Sequence, residues 1–194
     1  MNIVLLAGSP SAQSRSTRLL HHIGDRLSLF GLAPSTLSVR DLPAEALLHA
    51  DFGNPAVQAA QQQIKLADAV VVATPIYQAA YSGILKAFLD LLPQNSLAGK
   101  PVLPLAVGGS QSHMLALDYA LRPVLAALGT PHVLPGIYAT EAQIKWNAEP
   151  GLILDAAITE RIESGLLHLA ACLGAGSNRA DNNNGATAPL LRSA

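Results

Sequence analysis

The sequence predicts an α/β protein in which helices cover both faces of a parallel sheet of five strands. The first observation behind this prediction is that short apolar runs alternate with segments of helical periodicity along the chain. The second is that these runs are apolar at successive positions, which is typical of strands buried on both faces. The third is the length of 194 residues, half of them hydrophobic, which suits a single domain with a substantial core.

Five strands are predicted in order. Asn2–Ala7 and Ala69–Ala73 give the clearest signals, because both are continuously apolar. Thr36–Val39 is short and more polar, so we expect it near an edge of the sheet. Val102–Val107 is a further buried run, and His132–Ala139 completes the set.

Five helices are predicted from apolar residues at helical spacing. Pro55 begins the second helix and Pro93 ends the third, as prolines do at helix boundaries. The residues and segments that define the helices are, in order, Leu19, Leu20, Ile23, Leu27 and Phe30; Val57, Ala60, Ile64 and Ala67; Tyr81, Ile84, Leu85, Phe88, Leu89 and Leu92; Leu115–Leu128; and Leu152–Ala171, with Ile158, Ile162, Leu166 and Leu169 in phase.

This alternation fits an open, doubly wound sheet of the flavodoxin-like strand order 2-1-3-4-5. The predicted domain spans residues 1–173. Residues 174–194 are rich in Asn, Ala, Ser and Gly without periodicity, so we expect a disordered tail there.

Composition excludes several classes of function. Twelve basic and thirteen acidic residues give a net charge of −1, which disfavours a nucleic-acid binder and a polybasic membrane anchor. No run reaches the ~20 apolar residues of a membrane span, and the N-terminus lacks a secretory pattern, so we expect a cytoplasmic protein. The one cysteine, Cys172, excludes an intrachain disulfide framework, and no histidine spacing indicates a metal site.

In doubly wound sheets, ligands bind beyond the carboxyl ends of the strands. The loop after the first predicted strand leads into a helix, whose N-terminal N–H groups attract anions. Neither an NTPase P-loop motif nor GxGxxG occurs, so a hydroxyl-rich turn for a single terminal phosphate is the favoured interpretation. The alternative is an ordinary loop with Ser16 as a helix N-cap. The candidate phosphate ligands are Ser9, Ser14, Arg15, Ser16 and Thr17.

The loops after the third and fourth predicted strands could line a flat ring. The second loop combines a proline with exposed aromatic side chains, and the third has paired glycines that permit close backbone approach. The alternatives are tyrosines that fill ordinary space and a solvated loop histidine. The candidates are Pro75, Ile76 and Tyr77 in the second loop, and Gly108, Gly109, Ser110 and His113 in the third.

Three segments together resemble the NAD(P)H-dependent FMN reductases of the flavodoxin-like superfamily: GSPSAQSRST, PIYQAAYSGILKAFLDLLP and GGSQSHMLALDYALRPVL. The resemblance spans residues 1–172 and is greatest to the reductase components of two-component alkanesulfonate monooxygenase systems. It implies that the first loop holds the FMN phosphate and that the other two surround the isoalloxazine ring. The wider superfamily often has an arginine where this chain has Ser11, so Arg15 would supply the positive charge.

The resemblance further implies that NADPH or NADH reduces FMN to FMNH2, which a partner monooxygenase uses to desulfonate organosulfonates for sulfur acquisition. Hydride transfer depends on positioning, so no catalytic acid or base is nominated. The alternative is a quinone or azo reductase with permanently bound FMN. The preference between NADPH and NADH stays open, with Arg15, Arg18 and Arg40 as candidate partners of a 2′-phosphate.

A proline interrupts the fourth predicted helix. Pro123 has no N–H to bond the carbonyl of Tyr119, so we expect a kink or a local widening there. The low charged fraction of 13% favours a homo-oligomer, and the resemblance implies a dimer or tetramer with this helix at an interface. Tyr119 is therefore expected to pack across an interface and influence flavin binding; the alternative is a core tyrosine beside a simple kink.

Overall fold

The computed structural model describes residues 1–146 and 151–183. The strands of its main sheet are β1 (Asn2–Ala7), β2 (Ala33–Ser38), β3 (Ala69–Tyr77), β4 (Ala80–Tyr81), β5 (Pro101–Gly108), β6 (His132–Val133) and β7 (Ile137–Thr140). The parallel strands follow the order β2-β1-β3-β5-β6, with β7 also paired to β5 and β4 antiparallel to β3. The predicted α/β class with a parallel sheet is confirmed.

The predicted count and order of strands are not exact. The predicted fifth strand is two short strands, β6 and β7, that pair in turn with β5. The N–H of Leu134 still donates to the carbonyl of Val102 at 2.9 Å, but Pro135 has no N–H to continue the ladder. β3 runs beyond Ala73 to Tyr77 and folds back as β4.

Helices cover both faces of the sheet. They are α1 (Arg15–Leu29), α2 (Ala44–Leu48), α3 (Pro55–Leu66), α4 (Gly83–Leu91), α5 (Arg122–Ala127) and α6 (Ala156–Asn183), of which the short α2 was not predicted. Successive residues of β1 face opposite cores: Val4 packs with α3 and α4, whereas Leu5 packs with α1 and α6. This two-sided burial explains why the central strands are continuously apolar.

The segment Leu117–Leu121 is π-helical and leads directly into α5. The N–H of Arg122 donates to the carbonyl of Leu117, five residues earlier. Since Pro123 cannot bond the carbonyl of Tyr119, an ordinary α-helical turn would leave that carbonyl without its partner. The widening predicted around Tyr119 is therefore confirmed as a π-helical turn.

The C-terminal part differs from the prediction at both ends of its helix. Residues Leu152–Leu154, predicted to begin the helix, form strand β9, which pairs antiparallel with β8 (Ile144–Trp146). α6 runs past the predicted domain boundary to Asn183, so residues 174–183 are helical where disorder is predicted. The rest of the predicted tail, residues 184–194, lies outside the described residues. The division of the chain at residue 173 stays a prediction.

Within residues 1–146 and 151–183, no helix is long and apolar enough to cross a membrane. Within the same ranges, no three His, Cys, Asp or Glu side chains gather closely enough to hold a metal ion. Cys172 is a half-buried free thiol on α6.

Candidate active site

The loop between β1 and α1 is fixed to the neighbouring strand. The N–H of Gly8 donates to the carbonyl of Ala73 at 2.8 Å, which joins the carboxyl ends of β1 and β3. The Ser9 side chain is buried, and its hydroxyl oxygen accepts the N–H of Ser11 at 3.2 Å. Ser9 therefore shapes the loop from inside.

The N-terminus of α1 keeps its first N–H groups available. Ser14 occupies the N-cap position without capping the helix; its Oγ lies 2.7 Å from the Oγ of Ser16 instead. The first-turn N–H groups have no intrahelical acceptor and lie at the positive end of the helix dipole, so they are available to an anion. The alternative in which Ser16 is the N-cap is wrong, because Ser16 lies within the first turn.

The second loop is a β-hairpin formed by β3 and β4. Its turn residues Gln78 and Ala79 have φ values of 46° and 62°, in the left-handed region that tight hairpin turns require. The hairpin leaves Tyr77 half-exposed at the end of β3, with Ile76 partly buried beside it. Neither turn residue is a glycine, so the backbone is strained at the edge of the candidate site.

Ser82 connects the first two loops, a role that no pattern in the sequence indicates. Its hydroxyl donates to the carbonyl of Gly8, while its N–H donates to Thr74 Oγ1 at 3.0 Å. The same hydroxyl oxygen caps α4 by accepting the N–H of Leu85 at 3.3 Å. Ser82 and Thr74 are both fully buried, so these bonds hold the hairpin, α4 and the first loop together.

The third loop begins at Gly108, the last residue of β5. A Cβ atom built on Gly108 would lie 2.2 Å from the hydroxyl oxygen of Tyr138. That hydroxyl donates to the carbonyl of Ser110 at 2.5 Å and so holds the loop. Burial raises the pKa of Tyr138, so the phenol stays protonated, as a hydrogen-bond donor, to a higher pH than an exposed tyrosine would.

A cleft of about 210 Å³ brings the three loops together. The predicted residues that line it are Ser14, Arg15, Ser16, Pro75, Ile76, Tyr77, Gly108 and Gly109. Ser9, Thr17, Ser110 and His113 are not among its lining residues; Ser9 and Ser110 belong to the surrounding hydrogen-bond framework, and His113 is exposed on a short 3₁₀ turn. The lining residues that sequence analysis missed are Ser11, Gln13, Val107 and Glu141.

Glu141 lines the cleft and pairs with Arg15, one of the candidate phosphate ligands. Its Oε2 lies 2.9 Å from Nη1 of Arg15, and both side chains are about half-exposed. Glu141 follows β7, the strand that carries Tyr138, in a turn closed by a Thr140–Gln143 capping box. Its distance of more than a hundred residues from the first loop explains why sequence patterns could not indicate this pair.

The comparisons with known proteins agree with this geometry. The family model of the NADPH-dependent FMN reductases matches residues 1–144. The chain belongs to this family. An FMN reductase (NADPH) of Pseudomonas putida KT2440 is 47% identical over 168 residues, covering 86% of this chain and 85% of that protein. An FMN reductase (NADPH) of Escherichia coli K12 is 45% identical over 144 residues, covering 74% and 75% respectively.

A solved structure described as the apo form of the NADH:FMN oxidoreductase EMOB superposes with a TM-score of 0.78. It is 37% identical, and the match covers 87% of each chain. Membership of the FMN reductase family confirms the predicted flavodoxin-like α/β oxidoreductase that uses FMN and a reduced nicotinamide nucleotide.

The residues of this reductase fit FMN. The uncapped first turn of α1, with Ser14, Ser16 and Arg15, offers the donors that a phosphate monoester requires. The cleft continues from this turn to Gly108 and Gly109, and a Cβ atom built on Gly109 meets no atom within 4 Å, so a flat ring can approach the main chain there.

Tyr119 lies outside this cleft in the single chain. Its side chain is 79% exposed within the π-helical segment, and Met114 and Leu115 are exposed nearby in sequence. The alternative of a core tyrosine beside a simple kink is therefore wrong.

Proposed function

We propose that this reductase uses FMN as an exchangeable substrate and supplies FMNH2 to a partner monooxygenase. The observation that carries the proposal is the Arg15–Glu141 pair, because it places a carboxylate 2.9 Å from the arginine expected to bind the FMN phosphate. A phosphate carrying about −1.5 to −2 charges at neutral pH gains from Arg15 and is opposed by Glu141. The resulting modest affinity suits a flavin that must leave after reduction.

The chain's own residues bind and orient in this proposal. The N–H groups at the start of α1 and the hydroxyls of Ser14 and Ser16 hold the phosphate. The backbone from Gly108 to Ser110 supports one side of the ring, and the hairpin residues Ile76 and Tyr77 border the other. The flavin, when bound, supplies the ring that accepts hydride from the nicotinamide. Alignment of the two rings then decides the rate, without a proton-transferring side chain.

The partner follows from the resemblance to two-component alkanesulfonate monooxygenase systems. We propose an FMNH2-dependent monooxygenase that acts on organosulfonates, in the cytoplasm, with this reductase as a homo-oligomer. The exposed Tyr119 supports the further proposal that the π-helical segment packs against another subunit and influences flavin binding. Tyr77 at the site is half-exposed, and Tyr119 on the π-helical segment is more exposed. Exposed aromatic side chains of this size are often covered at subunit interfaces.

The experiment is oxidation of NADPH or NADH by protein purified without added flavin, followed by the loss of reduced-nicotinamide absorbance. We expect activity that appears only when FMN is added and saturates with its concentration. Activity with a quinone or azo dye, without added FMN, would show a permanently bound flavin and overturn the proposal in favour of a quinone or azo reductase. Heat-denatured protein, with the same FMN, is the control for non-enzymatic reduction.

A further inference from the structure

A second cleft, of about 820 Å³, adjoins the flavin cleft. The two share Gln13, Arg15 and Glu141. Resting on the proposed function, we propose that the second cleft binds the adenosine 2′-phosphate end of NADPH. Its remaining described lining residues are Arg18, Ala142, Ile144, Lys145, Trp146 and Leu152.

The charges of this second cleft suit a phosphate monoester. Among the lining residues that the structure describes, three are cationic, Arg15, Arg18 and Lys145, and one is a carboxylate, Glu141. Since Glu141 pairs with Arg15 at 2.9 Å, Arg18 and Lys145 are the cations that an additional anion would meet. A guanidinium donates to phosphate through a planar pair of N–H groups, and an ammonium adds a compact positive charge.

Trp146 supplies the flat apolar surface that a purine requires. Its side chain is 52% exposed, and the Arg18 guanidinium lies 4.5 Å from the centroid of its ring. This cation–π contact holds the Arg18 guanidinium over one face of the indole, at the cleft that both side chains line. Bases stack on aromatic side chains in nucleic-acid complexes, and Trp146 offers an adenine the same kind of surface.

The connection of the two clefts suits a dinucleotide. β8, which carries Lys145 and Trp146, follows the turn that places Glu141 against Arg15. A nicotinamide that stacks on a flavin in the first cleft has its adenosine end directed away from the ring, and the second cleft continues from the first at Arg15. The 2′-phosphate is the only group that distinguishes NADPH from NADH, so cations here would set the preference for NADPH.

The direct test measures binding of adenosine 2′,5′-bisphosphate and adenosine 5′-monophosphate to the flavin-free full chain by calorimetry. Trp146 is the chain's only tryptophan, so quenching of its fluorescence reports whether the bound nucleotide lies in this cleft. We expect saturable binding of the bisphosphate with quenching, and binding of the monophosphate weaker by about tenfold. No bisphosphate binding, or binding without any change in Trp146 emission, would overturn the proposal.

Variants separate this site from a general effect of charge. We expect Lys145→Ala and Arg18→Ala each to weaken bisphosphate binding by about tenfold. The matched control is Lys65→Ala, which removes an exposed lysine from a different cleft. Equal weakening by Lys65→Ala would show a nonspecific charge effect and contradict the proposal.

Kinetics then test the link to catalysis. In Lys145→Ala, KM for NADPH should rise about tenfold while KM for NADH, KM for FMN and kcat stay within about twofold. Equal rises in both nicotinamide KM values would assign the cleft to the shared pyrophosphate and overturn the 2′-phosphate assignment. A wild-type protein that binds the bisphosphate but reduces no FMN would contradict the proposed function and leave the cleft assignment standing.

Discussion

Gly108 illustrates how one residue position controls the candidate site. We expect Gly108→Ala to destabilise the fold by about 1–3 kcal/mol, because the new Cβ would lie 2.2 Å from the Tyr138 hydroxyl and must displace it. Urea unfolding gives the free energy directly. Gly109→Ala is the matched control for stability, since a Cβ there meets no atom within 4 Å. Equal stabilities of the two variants would contradict the close-approach argument.

In the proposed function Glu141 opposes the FMN phosphate through its charge, so we expect a specific signature when that charge is removed. We expect Glu141→Gln to strengthen FMN binding by about two- to fivefold, because an exposed charge pair contributes only about 0.2–1 kcal/mol. The gain should shrink as salt is added, since the charges are half-exposed. Fluorescence titration measures the affinity for FMN. The affinity for riboflavin, which lacks the phosphate, is measured in the same way as the control. A gain of equal size for riboflavin would contradict this account.

Two tyrosines, the buried Tyr138 and the partly buried Tyr81, are expected to make stability fall at high pH. Burial raises the pKa of Tyr138 above the ordinary value of about 10. Burial is also the largest cause of the raised pKa of Tyr81. The unfolded chain then ionises first, so the free energy of unfolding should hold at neutral pH and fall as the pH rises through about 10. Unfolding measured against pH should show a smaller fall in Tyr138→Phe. An unchanged fall in that variant would refute the contribution of Tyr138.

At the scale of elements, α4 and the hairpin are fixed to the first loop by one side chain. Ser82→Ala removes the cap of α4 and the hydrogen bond to the Gly8 carbonyl. We expect a loss of about 1–3 kcal/mol in stability together with a higher KM for FMN. Asn54→Ala is the control, because it removes the cap of α3, where Asn54 accepts the N–H of Ala56 at 3.0 Å, away from the cleft. A KM increase in both variants would show that general destabilisation is responsible.

The π-helical segment is the other element whose role extends beyond packing in one chain. It leaves Tyr119 almost fully exposed instead of in the core. A large apolar side chain held outward by a proline-dependent turn suits a contact with another subunit.

At the scale of the whole molecule, the prediction concerns assembly. We expect the wild-type protein to sediment as a dimer or tetramer, and Tyr119→Ala to shift it towards smaller species with altered flavin affinity. Sedimentation velocity and flavin titration measure the two effects. Leu66→Ala, which truncates another exposed apolar side chain on α3, is the control. Unchanged assembly, turnover and flavin affinity in Tyr119→Ala would remove this role.

The whole fold also explains the position of the cleft. β1 lies between β2 and β3 in the sheet. The strand that follows β1 in sequence, β2, is added on one side of it, and the later strands β3, β5 and β6 are added on the other side. At such a switch point the loops after the two strands separate and leave a crevice. The bond from Gly8 to Ala73 marks this position.

The sequence by itself determined the α/β class, the family and eight of the residues that line the cleft. These follow from local patterns: continuous apolar runs for buried strands, hydroxyls before α1, glycines after β5, and Pro123 beside the widened turn at Tyr119. Each pattern reflects constraints within a few residues along the chain. The sequence did not predict where β3 ends or that the last predicted strand is divided into β6 and β7. Both features depend on hydrogen bonds to partner strands, which local patterns do not show.

Only the tertiary structure decided which distant side chains meet. Tyr138 supports Ser110, Ser82 binds Gly8, and Glu141, which follows β7, pairs with Arg15 at the start of α1. The basic cleft around Trp146 likewise combines α1 with the β8–β9 hairpin. None of these contacts leaves a periodic signal, since hydrogen bonds and ion pairs depend on distances of a few ångströms that arise only after the strands align.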